Sequence, residues 1–382
     1  MPHTISHTPE FLMTYLRDRE LNELYVSVFL KTLAQSLITV FIPVYLVILG
    51  FTIFDVSLYY LIYFMIFAAV MPFAMLLHSR FGIKKTLALG TFILIFYYYL
   101  LGSLESGSSY YLIAVVFGIS SAVYYSAFHV EFAKFTKKGK EASEFSVLMI
   151  VAILAGVLGP LMGSLIITEI SFIFLFKLVA VILFISIIPL FYTKDFTIPF
   201  EKYSIKGIVE SDTKEKAIGY WIAGILVIVS LYFWPLFIYL TLNNVVSLGI
   251  IVSFTSLLTV LIIAYIGRLT DKDKKSVLKV GVILHAPSWL FRIFLLSPVG
   301  IFFINFYGSI TSCMIDIPFN KMVYSRAKKS KNILNYFLFR EFNLMIGRVA
   351  ILAFVMFVQS FVWMFVICFF ATFVYLVLLR EK

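Results

Sequence analysis

The sequence predicts an all-α integral membrane protein, with twelve transmembrane helices in two pseudo-symmetric six-helix halves. Three observations predict it. Of the 382 residues, 62% are hydrophobic and 13% charged, against roughly 25% charged in a soluble domain, and mean hydropathy is +1.01. The apolar residues run without interruption for about 20 at a time, enough to span hydrocarbon as helix, and do not alternate as barrel strands do. A short charged turn also occurs twice, half a chain apart.

The apolar runs cover residues 26–49, 56–77, 85–104, 109–133, 144–168, 171–192, 217–241, 247–267, 276–296, 298–323, 333–358 and 360–380. Between the sixth and seventh lies the longest polar segment, 193–216, which holds Pro199 and Gly207 and reads as a linker. It separates a six-helix bundle over 26–192 from another over 217–382. A polar lead, 1–25, comes first. Thr8-Pro9 before Glu10 is a helix-start pattern that puts Phe11, Leu12, Tyr15 and Leu16 on one face. That piece either lies on the membrane surface or is a tail. Its acids, Glu10, Asp18, Glu20 and Glu23, do not suit a cleavable signal.

The formal charge of +11 raises the question of nucleic acid. The basic residues sit in short turns between spans, so no nucleic-acid partner is expected. The linker and the even-numbered turns hold Arg80, Lys84, Lys85, Lys134, Lys137, Lys138, Lys140, Lys202, Lys206, Lys272, Lys274, Lys275, Lys328, Lys329 and Lys331. The odd-numbered turns, near Asp55, Glu105, Glu169, Asn243, Ser297 and Gln359, hold none. Positive charge collects on the inner side, so both termini are expected in the cytoplasm and the protein in the plasma (inner) membrane. Cys313 and Cys368 fall inside spans and have neither disulfide nor metal spacing. No metal site and no cofactor is expected.

The repeated turn is Ala74 to Lys85 in one half and Gly267 to Lys275 in the other. In each, a small residue leads a polar one by four, His78 or Asp271, and a basic pair follows. Charge of this density cannot lie in hydrocarbon, so both are turns at a membrane face. Further landmarks repeat: Pro43 with Pro235 at an offset of 192, His78 with Asp271 at 193, and Gly156 with Gly347 at 191. Together they imply two related halves, and in a transporter that places a site between them near the midplane.

This arrangement resembles the major facilitator superfamily, whose loop between the second and third spans runs roughly G-x-x-x-D-R-x-G-R-R. The second copy here keeps Gly267 and Asp271. The first keeps Arg80, Gly82, Lys84 and Lys85, with Ala74 for the glycine and His78 for the aspartate. The resemblance implies that the aspartate position helps hold a gate between the halves, and His78 carries no fixed negative charge there. The fifth span, Ala155 to Ser164, is similar to the family's G-x-x-x-G-P-x-x-G-G motif, found mainly among exporters. It carries Gly156, Gly159, Pro160 and Gly163. Small residues at this spacing also suit plain helix packing, and Pro160 can kink the helix. The fourth-span arginine usual in proton-driven drug exporters is absent near Ala114.

An ionisable group at a helix centre costs roughly 2.5–3.5 kcal/mol on insertion scales, so each needs a reason. In the first span Ser27, Lys31 and Gln35 recur every four residues, and Lys31 either snorkels or faces the cavity. In the fourth, Ser121, Tyr125 and His129 do the same, with Glu131 following. In the tenth, Asn305, Ser309, Ser312, Asp316 and Asn320 form one polar face with Gly308. The eleventh holds Arg340, Glu341, Asn343 and Arg348. Arg348 either pairs with Asp316 or an anionic ligand, or forms a fixed ion pair. Lys177 and Arg292 are expected to snorkel. Tyr232, Trp234 and Tyr239 flank Pro235 and can stack on an amphipathic substrate.

The resulting expectation is a monomeric secondary transporter of a small molecule, embedded in lipid and working by alternating access. No G-x-x-x-x-G-K-[ST] loop offers ATP as the drive. Proton coupling through Asp316, Glu341, Glu131 and His129 is expected instead. The reading leans to an efflux permease, with an uptake symporter for a polar or anionic solute as the alternative. A membrane-embedded enzyme would need a His/Asp or metal cluster, and the sequence has no H-E-x-x-H.

Overall fold

A computed structural model of the protein describes residues 19–106, 108–135, 141–197 and 204–380. The surface helix expected within the first 18 residues lies outside them, as do Lys137, Lys138, Lys140 and Lys202. Among the described residues there is no strand, and twelve helices are long and apolar enough to cross a membrane. They are α1 (Asn22–Ile48), α2 (Ile53–Phe81), α3 (Ile83–Gly102), α4 (Tyr110–Phe132), α5 (Val147–Glu169), α6 (Phe172–Phe191), α7 (Lys214–Leu242), α8 (Val245–Lys272), α9 (Lys274–Phe294), α10 (Pro298–Lys329), α11 (Ile333–Val358) and α12 (Phe361–Leu379). A short helix, Ile205–Val209, lies in the linker. Large apolar side chains point outward along the bundle, among them Phe73, Leu261 and Phe357, as a lipid-facing surface requires.

Several helices run past the apolar stretches that mark them. The eighth continues through Asp271 to Lys272 and the tenth through Arg326 to Lys329. Hydropathy records where hydrocarbon ends. The helix itself stops where a capping group takes over the free backbone groups. Thr52 and Asp55 form a reciprocal capping box at the start of α2. Asp273 accepts from the Lys275 and Ser276 amides at the start of α9, and bonds from Ser276 hold its carboxyl below the ordinary value. Asn244, Ser297 and Asn332 cap α8, α10 and α11 in the same way.

The internal repeat is visible in the backbone. α1 loses regular α-geometry between Leu37 and Phe41, just before Pro43. α7 widens into a π-turn over Val229–Phe233, just before Pro235. A proline ring removes one amide donor and crowds the carbonyl four residues back, so both helices give way at the preceding turn. The halves meet most extensively along two pairs, α2 with α11 and α5 with α8, and α10 also touches α5.

Small residues set the closest approaches. A Cβ on Gly163 of α5 would lie 1.9 Å from the Leu37 carbonyl oxygen of α1, and one on Gly347 of α11 would lie 1.9 Å from that of Trp221 in α7. Gly159 meets Ser36 of α1 closely, and Gly249 of α8 lies against the Pro160 carbonyl. The Gly-Pro stretch of α5 thus packs α1 on one side and α8 on the other. Gly156 has only the Ser36 Cβ near it, at 4.0 Å. Overpacking a tight contact costs roughly 1–3 kcal/mol. Gly163→Ala and Gly347→Ala are therefore expected to lower the thermal unfolding temperature in detergent clearly, and Gly156→Ala to leave it nearly unchanged.

Candidate functional site

Among the described residues, a polar cavity is lined mainly by each half. The N-half cavity, about 230 Å³, is lined by Lys31, Gln35 and Thr39 of α1, Tyr63 of α2, Ser121 and Tyr125 of α4, and Tyr232 from α7 across the interface. The C-half cavity, about 130 Å³, is lined by α7, His285 of α9, Ser312 and Asp316 of α10, and Tyr375 of α12. A shift of 191 residues carries Leu94, Ser121, Tyr124 and Tyr125 onto His285, Ser312, Ile315 and Asp316. A shift of 192 carries Lys31 and Gln35 onto Ala223 and Val227. All of these line one cavity or the other. The two cavities are therefore copies of one space, and their charge differs in sign.

Lys31 is 5% exposed. Its ammonium donates to Gln35 Oε1 at 2.7 Å, one turn along the helix. It lies 3.9 Å from the centre of the Tyr124 ring and 5.4 Å from that of Tyr125. No carboxylate reaches it among the described residues. Aromatic rings build the walls around it: Tyr63 stacks on Phe117 at 4.1 Å and donates to Ser121. Ser27, on the same stripe, points away and donates to the Ser186 carbonyl of α6.

Asp316 faces the C-half cavity, and no Lys or Arg lies within ion-pair distance of it among the described residues. The polar face of α10 is divided in use. Ser312 and Asp316 line the cavity, whereas Asn305 accepts from Trp234 Nε1 at 2.9 Å and donates to Thr255 at 2.6 Å. Asn320 turns back to the Asp316 carbonyl. Trp234 is thus a bonded packing residue in this conformation.

The charges of α11 form a separate cluster at the interface between halves. Glu341 accepts from Arg340 through one oxygen and from Arg348, at 3.4 Å, through the other. Arg348 therefore pairs with the acid seven residues back on its own helix face, and not with Asp316. Its guanidinium lies 4.7 Å from the Phe64 ring centre and 5.6 Å from that of Phe67, both on α2. Arg340 also donates to His129 Nε2 at 3.0 Å, leaving Nδ1 of His129 to face the Tyr324 hydroxyl at 3.1 Å. His129 is on α4, so one cluster joins α2 and α4 to α10 and α11. Glu131 is buried elsewhere on α4.

Two faces of the bundle can be told apart by their turns. Near the face that carries the basic α2–α3 and α8–α9 turns, Phe132 packs on Tyr324 and His129 on Phe337. Toward the opposite face, Tyr60 of α2 meets Tyr232 of α7 at 3.9 Å, and the part of α7 after its π-turn touches the part of α1 after Ile38. Contacts between halves therefore flank the cavities on both sides.

The repeated turns hold their own halves together. His78 is fully buried and bonds Ser126 of α4 at 2.9 Å. Its counterpart Asp271 pairs with Lys321 of α10 at 2.8 Å. Gly267 is buried within α8, while Arg80 and Lys85 are exposed. Lys84 forms a buried pair with Glu23 of α1 at 2.6 Å, and Thr193 joins both. Asp195, from the linker, accepts from the Lys84 and Lys85 amides and so caps α3. Gly82 has φ of +94° and no room for a Cβ beside Asp195.

Lys177 is exposed, as a snorkelling residue is, but Arg292 is not: it is 4% exposed and packed on Trp234 and Trp289. The indole three residues before it, Trp289, is the sequence signal for that burial. Sequence reasoning also missed Tyr63 and His285. Only the repeat offset, applied to Leu94, would have singled out His285.

The sequence matches the Major Facilitator Superfamily profile over residues 24–332. The chain belongs to the major facilitator superfamily. Among solved structures of similar fold, the human organic anion transporter MFSD10 (TETRAN) aligns over 93% of this chain and 99% of its own, with a TM-score of 0.62 and 12% identity. No curated protein matches the sequence. Superfamily membership makes this multi-pass integral membrane protein a transporter of small molecules and not an enzyme.

Within that transporter, and among the described residues, Glu341 is the one carboxylate paired with the two partly buried cations Arg340 and Arg348. Removing one partner of a buried ion pair costs roughly 3–5 kcal/mol. Glu341→Gln is expected to lower the unfolding temperature by much more than His129→Ala, which leaves both arginines paired, as a thermal melt of each purified variant would read.

Proposed function

We propose that this superfamily member is a proton-coupled secondary transporter that moves a small amphipathic organic anion by alternating access, outward across the plasma membrane. Lys31 carries the anion reading. A buried ammonium partnered by a neutral amide and two ring faces leaves its charge uncompensated, and an anionic ligand would offset it. The rings of Tyr63, Tyr125 and Tyr232 suit an apolar body attached to that anion. The likeness to the human organic anion transporter is one of fold, so the anion reading stands on Lys31.

Asp316 supports proton coupling, being a carboxylate in a cavity without a cation beside it. The aromatic walls and the Gly-Pro stretch of α5 support export. Uptake is the second reading, favoured by Ala114, which stands where drug exporters carry an arginine. The excess of Lys and Arg in alternate turns supports cytoplasmic termini and a cytoplasmic basic face.

Ligand binding to the folded state raises apparent stability. Purified protein screened by thermal unfolding is expected to be stabilised by aromatic and other apolar carboxylates, and Lys31→Gln is expected to abolish that shift. Stabilisation by lipophilic cations instead would refute the anion assignment. In proteoliposomes, Asp316→Asn is expected to remove the pH dependence of transport. An unchanged pH profile would take the coupling role away from it.

A further inference from the structure

A second uncompensated cation lies elsewhere, in the C half. Arg292 of α9 is 4% exposed, and Ser288 and Trp289 on the same helix are fully buried. The Arg292 guanidinium stacks 3.9 Å from the Trp289 ring centre and 4.5 Å from that of Trp234. The rings stabilise a cation but remove none of its charge. Among the described residues no carboxylate pairs with it. Its Nε and one terminal nitrogen have no acceptor, nor does Trp289 Nε1, and the Ser288 hydroxyl has no partner. Trp234 differs, because its Nε1 is satisfied by Asn305.

These three side chains adjoin one another. Residues 288, 289 and 292 stand four and three apart on α9, hence on adjoining parts of one face. Gly308 on α10 lies beside two of these side chains: a Cβ there would lie 3.1 Å from Arg292 Nη2 and 3.9 Å from the Ser288 hydroxyl. The missing side chain leaves the guanidinium its room. Buried N–H and O–H groups without acceptors each cost free energy, and an unpaired buried charge costs far more. Several donors around one cation, with no protein acceptor, are the complement of an anion.

We propose that Ser288, Trp289 and Arg292 form a binding site for a small inorganic anion of the halide type, chloride in a cell. Burial selects that class. A ligand here must shed its water, and a monatomic singly charged ion gives up less hydration than phosphate or sulfate. The site is separate from Lys31 and from Asp316, so it holds whatever the transported substrate is. Its anion neutralises Arg292 and fixes α9 against α7 and α10.

The test is thermal unfolding of the full-length protein in detergent, with chloride exchanged for gluconate at constant ionic strength. The unfolding temperature is expected to rise by several degrees and saturate with chloride, with bromide acting similarly and acetate not. Arg292→Met, close in shape and uncharged, is expected to fold and to lose the chloride response. Ser288→Ala, which removes one neutral donor and keeps the charge, is expected to shift the midpoint several-fold to higher chloride. It gives an independent reading should the arginine variant not fold. A wild-type melt that is flat across the anion series would overturn the proposal. So would acetate acting in place of halide, or a chloride response retained in Arg292→Met. The readout needs no transport, so its failure is distinct from failure of the anion-exporter reading.

Discussion

Hydrocarbon offers no partner for a charge or for an unpaired peptide group, and every internal feature of this protein answers to that constraint. Twelve helices satisfy the backbone. Apart from exposed ones such as Lys177, the ionisable side chains inside them gather where helices meet each other. Glu341 is the clearest case. One carboxylate draws Arg340 and Arg348 to itself, and through Arg340 reaches His129 on the other half. The same contact that solves a solvation problem becomes a clasp between the two halves.

The repeat shows how one backbone plan can carry two chemistries. Matching helices bend before matching prolines, and matching cavities open between them. Yet the ammonium of one cavity falls on α1, while the carboxylate of the other falls on α10. Where α1 has Lys31, α7 has Ala223, and where α10 has Asp316, α4 has Tyr125. Packing positions such as Gly163 and Gly347 tolerate little change because backbone touches backbone there. The cavity positions face open space and are free to diverge.

Much of this was legible in the residues alone. Span number, the linker and the repeat follow from hydropathy and from Pro43, Pro235 and the doubled turn, since these are properties of local chain. The placing of Lys31 and Asp316 in cavities was legible as helical stripes. Partner choice was not. A stripe says that Asn305 and Asp316 share a face of α10. It does not say that Trp234 takes one while a cavity receives the other, because that depends on neighbours far away in the chain. Arg292 was misread for the same reason: closeness to a helix end suggested snorkelling, and only the two indoles around it show burial. His78 reads as a gate residue by its motif, and its bond to Ser126 ties it to its own half.

The cap on α3 has a consequence for how the chain is made. The carboxylate that accepts the Lys84 and Lys85 amides belongs to Asp195, and Thr193 joins the buried pair of Lys84 with Glu23. Both lie after the sixth span. During synthesis the turn between α2 and α3 therefore stays unfinished until more than a hundred further residues have emerged. The first bundle is locked only once its last helix has been threaded and the connector has swung back beneath it. The connector is in this sense the final stitch of the half that precedes it.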